Sequence, residues 1–352
     1  RNINNEMEIM NFTRYTSIDN SHRKLTVNYY YANGYANGDW VVTTKIHGSN
    51  FSIFLSKDGE KFSRREGWLE EDEKFYGYKR AIDRHFDKIR KVRDLTLEHF
   101  SLNEDANVQL YGEIFGGNYP HPDVKQVNEV SQVQDKVYYC TDIEFYPFDI
   151  YVDNDGKRFP VDHDVFEGIV VKAGFTVYSK AIFTGSLKEC LAYSNEYPDP
   201  TYKNYDLPEL EDNICEGNVL KPVKAACEPS GSRVILKSKN DRFTERDSKK
   251  KKTKVPIEVS EEAQELVNTA NEYITENRLR NVVSHLGDVT QKQFGVILKA
   301  FSLDVREDMI KDDPNIFELS NPKEVSIVNK VINKSCTNLI GKNFQNIVDK
   351  TF

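Results

Sequence analysis

No apolar run in this chain of 352 residues approaches the roughly 18 residues a membrane span requires, which argues against a helical membrane protein. Cysteine is sparse. Cys140, Cys190, Cys215, Cys227 and Cys336 are odd in number, widely spread and free of any CxxC pair, which argues against a disulfide framework and a zinc site. They point to a reducing compartment, with the cytoplasm the expected setting. Excess positive charge is also lacking: the formal net charge is -8, so any attraction to nucleic acid must come from a local basic groove. The first residues, RNINNEMEIMNF, have no apolar stretch and do not read as a secretory or transit signal, and Met10 is a plausible native start. Against these absences stand 38% hydrophobic and 12% aromatic residues, ample for a packed core in a soluble globular protein. At roughly 100 to 200 residues per domain the length suggests about two.

From about Phe12 to Phe243 the chain runs as short alternating segments between polar turns: WVVTTKI, NFSIFLS, VQLYGEIFG, KVYYCTDIEFYPFDIYV, FTVYSKAIF, NVLKPV and RVILKSK. Their period and their β-branched and aromatic content read as strands, with one basic helical segment, FYGYKRAIDRHFDKIRKV, inserted. The first domain, residues 1–245, is therefore expected to be sheet-rich α+β. The charged stretch ERDSKKKKTKVP marks the boundary, with 246–258 read as a basic linker. Beyond it, Ala263, Leu266, Val267, Ala270 and Ile274 follow helical spacing behind Ser260 as N-cap. Thr290 with Gln293 forms a capping box before Phe294, Ile297, Leu298 and Phe301. Residues 259–352 are expected to form a small helical domain.

The stretch VVTTKIHGSNFSIF raises a chemical question, because it sets Lys45, His47 and Gly48 between two strand-like runs. A lysine is a nucleophile only when neutral, and desolvation or neighbouring cations achieve that. Gly48 permits close backbone approach, and His47 and Asn50 can reach the same ligand. KxxG alone is weak, since the chain holds a second copy from Lys74 to Gly77 that lacks flanking strands and reads as structural. Other stretches follow in order: YGEIFGG with Glu113, EFYPFDI with Phe148 and Asp149, CEGNVLKP with Glu216 and Lys221, and VILKSKN with Lys237 and Lys239. Residues two apart on a strand face one side, so the last two lysines share a cleft. Such a set suits a nucleoside triphosphate. The cations neutralise phosphates and restrain the charge of Lys45, an aromatic stacks on the base, Glu113 meets a ribose hydroxyl and Glu216 holds a divalent metal through water.

The order Lys-x-His-Gly, Arg, Glu, Phe-Asp, Glu-Gly, Lys-x-Lys resembles the covalent nucleotidyltransferases. More narrowly it resembles the phage RNA ligase 2 and RNA-editing ligase family, whose first motif is typically KxHG[TS]N. The resemblance begins at FTRYTSIDN, runs through KIHGSN, FSRREG, YGEIFGG, FYPFDI, EGNVLKP and ILKSKN, and reaches ENRLRNVVSHLGD in the C-terminal part. Motifs in so long a fixed order are far more specific than any one. The resemblance implies an α+β fold whose antiparallel-sheet-rich nucleotidyltransferase domain, the ATP-grasp-like adenylation domain of ligases, precedes a small all-helical C-terminal domain. It implies an ATP-dependent RNA ligase that seals 3'-hydroxyl to 5'-phosphate ends at nicks in duplex RNA, a monomer using ATP and Mg2+ or Mn2+. Lys45 would take AMP as a phosphoramide, with His47 assisting departure of pyrophosphate. Lys237 and Lys239 would hold the α-phosphate, Glu216 and Asn50 the metal shell, Glu113 the ribose and Phe148 the adenine, with Thr44 and Ile46 lining the nucleotide pocket beside the nucleophile. Arg65, twenty residues after Lys45, would grip phosphate during transfer to RNA, helped by Arg64. Tyr15 and Arg278 match positions expected near the RNA.

Two departures stand out. Thr44 occupies the place where relatives often carry glutamate, which puts the polar contact to the adenine edge in question. Asn218 replaces a residue that is more often apolar. VFEGIVVKAG is a decoy: Glu167 mimics the Glu-Gly motif, but Val165, Phe166, Ile169 and Val170 follow helical spacing, and no Lys-x-Lys follows at the right distance. In the basic helix, His85 is read as packing and the Lys and Arg face as mainly solvated. A DNA ligase or an mRNA guanylyltransferase shares such a pocket but adds a β-barrel where this chain turns helical. A non-enzymatic duplex-RNA clamp would need neither ATP nor metal.

Overall fold

The computed structural model describes residues 10–352. It forms two compact units that meet in sequence between Asn240 and Asp241. Within the first, β1 (Asp19–Asn20) precedes α1 (Lys24–Ala32), and β2 (Trp40–Lys45), β3 (Ser49–Leu55), β4 (Glu60–Arg64) and β5 (Gly67–Trp68) precede the long α2 (Lys79–Phe100). Then come β6 (Asn107–Gly116), β7 (Ile143–Asn154), β8 (Lys157–Pro160), α3 (His163–Ala173), β9 (Ala181–Gly185), α4 (Leu187–Ala192), β10 (Gly217–Pro222) and β11 (Leu236–Lys239).

These strands make two sheets, in the orders β1-β11-β10-β2-β9 and β5-β4-β3-β6-β7-β8. All neighbours are antiparallel except β1 with β11. Strand alternation gives each sheet two jobs. Phe51, Ile53, Leu55, Leu110, Ile114 and Ile150 point to one side of the second sheet, where Ile82, Ile89 and Val92 of α2 and Phe166 and Val170 of α3 complete the core. Trp40, Val42, Leu220 and Leu236 do the same for the first sheet under α1 and α4. On the inner faces, Tyr111 and Tyr151 of the second sheet meet Ile235 and Val219 of the first around Tyr15 and Phe148.

The expected strands hold in their centres and fail at two ends. KVYYCTD is a loop up to Ile143, where Tyr138 bonds through both backbone groups to the Asn213 side chain (2.9 and 2.7 Å) instead of to a ladder. FTVYSK is likewise outside β9. The helix around Glu167 forms as expected and stops at Gly174, which adopts φ 101. His85 packs beside the Phe175 ring and bonds Glu144 at 2.8 Å, while Arg80 and Arg84 pair with Asp142.

The second unit is helical: α5 (Glu261–Tyr273), α6 (Glu276–Leu286), α7 (Phe294–Asp312) and α8 (Lys323–Val348). α8 packs against the other three around Leu266, Leu279, Phe301, Val328 and Ile340. Ser260 caps α5 as read, its hydroxyl accepting from the Ala263 amide at 3.2 Å. At Thr290 the Gln293 side chain accepts from the Thr290 amide, but the helix starts only at Phe294. Residues 246–258, expected to be a linker, instead lie against this unit. Arg246 pairs with Glu272 at 2.8 Å, Lys250 donates to the Ile274 carbonyl, and Val255 is buried in the helical core. The lysines mask the single apolar residue that anchors the stretch. No helix among the described residues is long and apolar enough to cross a membrane.

Candidate active site

β2 ends at Lys45, and β10 begins at Gly217 directly opposite it. This register places Glu216, just before β10, beside the amine. Lys45 Nζ donates to Glu216 Oε2 at 2.8 Å, His47 Nδ1 lies 3.5 Å from the same oxygen, and Lys239 Nζ lies 3.1 Å from Oε1. Glu216 is 2% exposed. Burial opposes its ionisation, but Lys45, Lys239 and His47 outweigh burial and hold its carboxyl well below the ordinary carboxylate range. The glycine after it is obligatory: Gly217 adopts φ +149, and a Cβ there would stand 2.0 Å from the Ser238 carbonyl oxygen. Lys237 and Lys239 sit two apart on β11, opposite Val219 and Gly217, and so share the inner face with Lys45.

Across the cleft, Asn50 on β3 pairs with Glu113 on β6. Burial pushes Glu113 up to about 8, with Glu216 adding to the shift while Lys45 and Arg65 oppose it. Burial thus favours the protonated form of this carboxyl, which can donate as well as accept. Asn50 is buried, and its Oδ1 has no hydrogen-bond partner. Gly48 is needed because a Cβ would meet the Ile114 carbonyl oxygen at 2.2 Å and Glu113 Cγ at 2.8 Å. Phe148 lies on the inner face, its ring 4.9 Å from that of Tyr15.

Several sequence expectations need correction. Tyr15 is 2% exposed and gives its hydroxyl proton to Asp149 at 2.7 Å, so it is an internal strut that RNA cannot reach. Arg64 stands opposite Phe51, on the α2 side of the second sheet, and pairs there with Glu73, facing away from the cleft. Arg278 is 1% exposed and bonds Asp304 and Asp308 at 2.7 Å each, making it the centre of an internal ion cluster. The Thr44 side chain faces away from Lys45. Its hydroxyl meets Tyr197 Oη at 3.0 Å, which donates to Asn218 Oδ1 at 2.8 Å. Asn218 also donates to the Ser194 carbonyl, which explains why an amide is tolerated at a fully buried position. Ile46 is buried and offers only apolar wall. Glu167, no metal ligand, accepts from the Ala181 amide at 2.7 Å and ties α3 to β9.

Other residues were missed. Three phenols hold the nucleophile strand: Tyr146 donates to the Thr44 carbonyl, Tyr197 meets the Thr44 hydroxyl, and Tyr139 accepts from the His47 amide at 2.8 Å. A second buried cluster forms around Asp149, where Arg233 donates at 3.0 Å and Lys221 stands at 3.7 Å. There burial lowers Lys221 to about 8. Lys221 was named in the sequence, and Tyr139, Tyr146 and Arg233 lie inside stretches that its pattern marks, whereas Tyr197 sits in a segment with no pattern to find it.

A lysine amine bonded to a buried carboxylate on which a histidine and a second lysine also converge defines a pocket of the covalent nucleotidyltransferase type. The chain belongs to the RNA ligase family, whose model matches residues 38–239. The model of the T4 RNA ligase 2 C-terminal domain matches residues 257–338. The chain is 29% identical over 240 residues to the mitochondrial RNA-editing ligase 1 of Trypanosoma brucei brucei, covering 60% of this chain and 51% of that protein. With mitochondrial RNA-editing ligase 2 of the same organism it shares 27% over 365 residues, 88% of this chain and 85% of that protein. It thus spans about half the length of the first of these relatives. A mutant RNA ligase of Naegleria gruberi, solved with AMP and Mn, aligns at a TM-score of 0.44 with 17% identity, covering 67% of this chain and 58% of that one; so distant a likeness carries no weight for the site.

Proposed function

We propose that the chain is an ATP-dependent RNA ligase that joins a 3'-hydroxyl to a 5'-phosphate, acting as a monomer on nicks in duplex RNA. The observation that carries this reading is the convergence of Lys45, His47 and Lys239 on Glu216. In the first step the neutral Lys45 amine attacks the α-phosphorus of ATP. A P–N bond forms as the bond to pyrophosphate breaks, and His47 is placed to attend the leaving group. In the second, an oxygen of the RNA 5'-phosphate displaces lysine from that phosphorus, and a P–O–P linkage replaces the P–N bond. In the third, the RNA 3'-hydroxyl attacks the 5'-phosphorus, its proton is lost, and AMP departs. All three are in-line displacements, so positioning and charge neutralisation carry most of the rate. Lys45 cannot serve both Glu216 and phosphorus. The α-phosphate must therefore draw Lys45 away from Glu216, with Lys237 and Lys239 on the same face to meet its charge.

A divalent metal fits the groups present. Asn50 offers a buried oxygen without a hydrogen-bond partner and Glu216 a carboxylate. No cluster of three or more His, Cys, Asp or Glu suited to a metal exists among the described residues. An ion here would therefore keep water and phosphate oxygens in its shell, as magnesium does, and supply charge neutralisation. All five cysteines are free thiols, which suits a reducing, cytoplasmic setting.

The test is incubation with ATP or GTP labelled at the α-phosphate, plus magnesium, followed by denaturation and mapping. Label from ATP on Lys45 that Lys45→Ala abolishes is the expected result. Retention of label on Lys45→Ala overturns the reading, and label from GTP alone redirects it to cap formation.

A further inference from the structure

The strands β4 and β5 close into a hairpin whose register pairs Arg64 with Gly67, so Arg65 and Glu66 form its two-residue turn. The Glu66 carboxylate lies between two guanidinium groups: Arg14 Nη1 is 3.2 Å from Oε2, and Arg65 Nε is 3.8 Å from Oε1. Arg14 reaches this turn because its segment is pinned on both sides. Phe12 packs edge-on against Trp68 with ring centroids 5.5 Å apart, Thr13 gives its carbonyl to the Tyr111 hydroxyl at 2.7 Å, and Tyr15 is buried on Asp149. Lys61 stands over the Trp68 ring, 5.5 Å from its centroid.

Two guanidiniums closing on one oxyanion is how proteins hold phosphate, and arginine's fork matches that geometry. The occupant here is a side chain at the tip of a turn. The Arg14 and Glu66 side chains are both 48% exposed, and exposed ion pairs contribute little to stability. A phosphate carries the same charge sign and more acceptor oxygens, so it can displace the carboxylate while the hairpin strands stay paired. Resting on the ligase reading above, we infer that Arg14 and Arg65 form a phosphate-binding pair for the RNA, and that Glu66 occupies the pair until RNA arrives. Arg14, beside Tyr15 in FTRYTSIDN, thereby becomes an RNA-contacting residue that the sequence reading passed over. Glu66 tunes the affinity, keeping the pair from gripping stray anions.

The test measures binding of a nicked RNA duplex that carries either a 5'-phosphate or a 5'-hydroxyl at the nick, over a series of salt concentrations. Thermal melting checks that each variant folds. Arg14→Ala should weaken binding about five- to tenfold and reduce the salt slope by about one, as loss of one phosphate contact does. Glu66→Gln should tighten binding about two- to fivefold, since it removes an internal competitor and a repulsive charge. If both effects are confined to the 5'-phosphate duplex, the pair reads the nick phosphate; if they are equal on both, it reads the backbone, and either pattern supports the inference. Weaker binding by Glu66→Gln would show that the carboxylate merely positions the arginines and would overturn the inference. An unchanged constant and slope in Arg14→Ala would overturn it too. Failure of the unmodified protein to take label from ATP would instead count against the ligase reading on which the pair depends.

Discussion

Arg278 offers the sharpest contrast between a contact with RNA and a strut inside the fold. Its guanidinium donates to Asp304 and Asp308 at 2.7 Å each and to the Tyr273 carbonyl at 2.8 Å, with Glu245 at 3.5 Å. Burial opposes its charge, yet the three carboxylates outweigh burial and hold it protonated beyond the ordinary arginine range. Arg278→Leu leaves those carboxylates facing one another with no counter-charge. Breaking a buried ion pair from one side destabilises by roughly 3–5 kcal/mol. The Asp304 and Asp308 side chains are 37% and 21% exposed and can recover some hydration, so the lower end, about 3 kcal/mol, applies. That corresponds to a fall in melting temperature of about 10 °C or more for a unit of this size. The two tryptophans, Trp40 and Trp68, both lie in the first unit. Tryptophan fluorescence therefore follows that unit, while far-UV circular dichroism reports both units and takes the larger share of its helical signal from the second. The expected outcome is a dichroism transition at much lower temperature with the fluorescence transition little moved. Burial already raises Asp304 above its ordinary value while Arg278 pulls it down. Without Arg278 the freed carboxylates become easier to protonate, so the loss should shrink as pH falls toward 4. Adding Asp304→Asn and Asp308→Asn should restore part of the stability. An unmoved dichroism transition together with lost RNA sealing would refute the reasoning and return Arg278 to the RNA.

Gly48→Ala should abolish adenylylation of Lys45, because its Cβ would push β6 and Glu113 away from the pocket; label transfer from ATP measures it. Glu113, raised by burial from 4.5 to about 8, contributes stability that is fully present below its unfolded value and lost as pH rises through the folded one. Thermal melts between pH 5 and 8.5 should show the native protein weakening relative to Glu113→Gln, and parallel curves would contradict the shift. Tyr146→Phe removes the hydroxyl that holds the Thr44 carbonyl at 3.0 Å. At about 1 kcal/mol for such a bond, adenylylation should slow about fivefold in a single-turnover assay. Thr44→Val should leave the preference for ATP over GTP unchanged, since its hydroxyl faces Tyr197 and not the cleft; a shift in that preference would place residue 44 on the base after all.

What the sequence determined by itself was everything carried by local period and by ordered motifs. Alternation in WVVTTKI and NFSIFLS marked β2 and β3, helical spacing behind Ser260 marked α5, and the Glu-Gly and Lys-x-Lys stretches picked out Glu216 and Lys239, which meets Glu216 as Lys45 does. Such signals survive in one dimension because strand and helix geometry repeat every few residues. Tertiary structure alone decided which way a flagged residue faces and what stands opposite it. Arg64 and Arg65 are neighbours in sequence, yet Arg64 pairs with Glu73 on the α2 side while Arg65 reaches the hairpin turn beside Glu66. Tyr15 and Arg278 match positions expected at the RNA but are buried against carboxylates more than twenty residues away. Tyr139 and Tyr197, which hold the backbone around Lys45, come from irregular loops whose place depends on side-chain bonds such as those of Asn213. A carboxylate buried by folding must find its cations wherever the chain brings them, and that pairing is a property of three-dimensional register with no trace in local pattern.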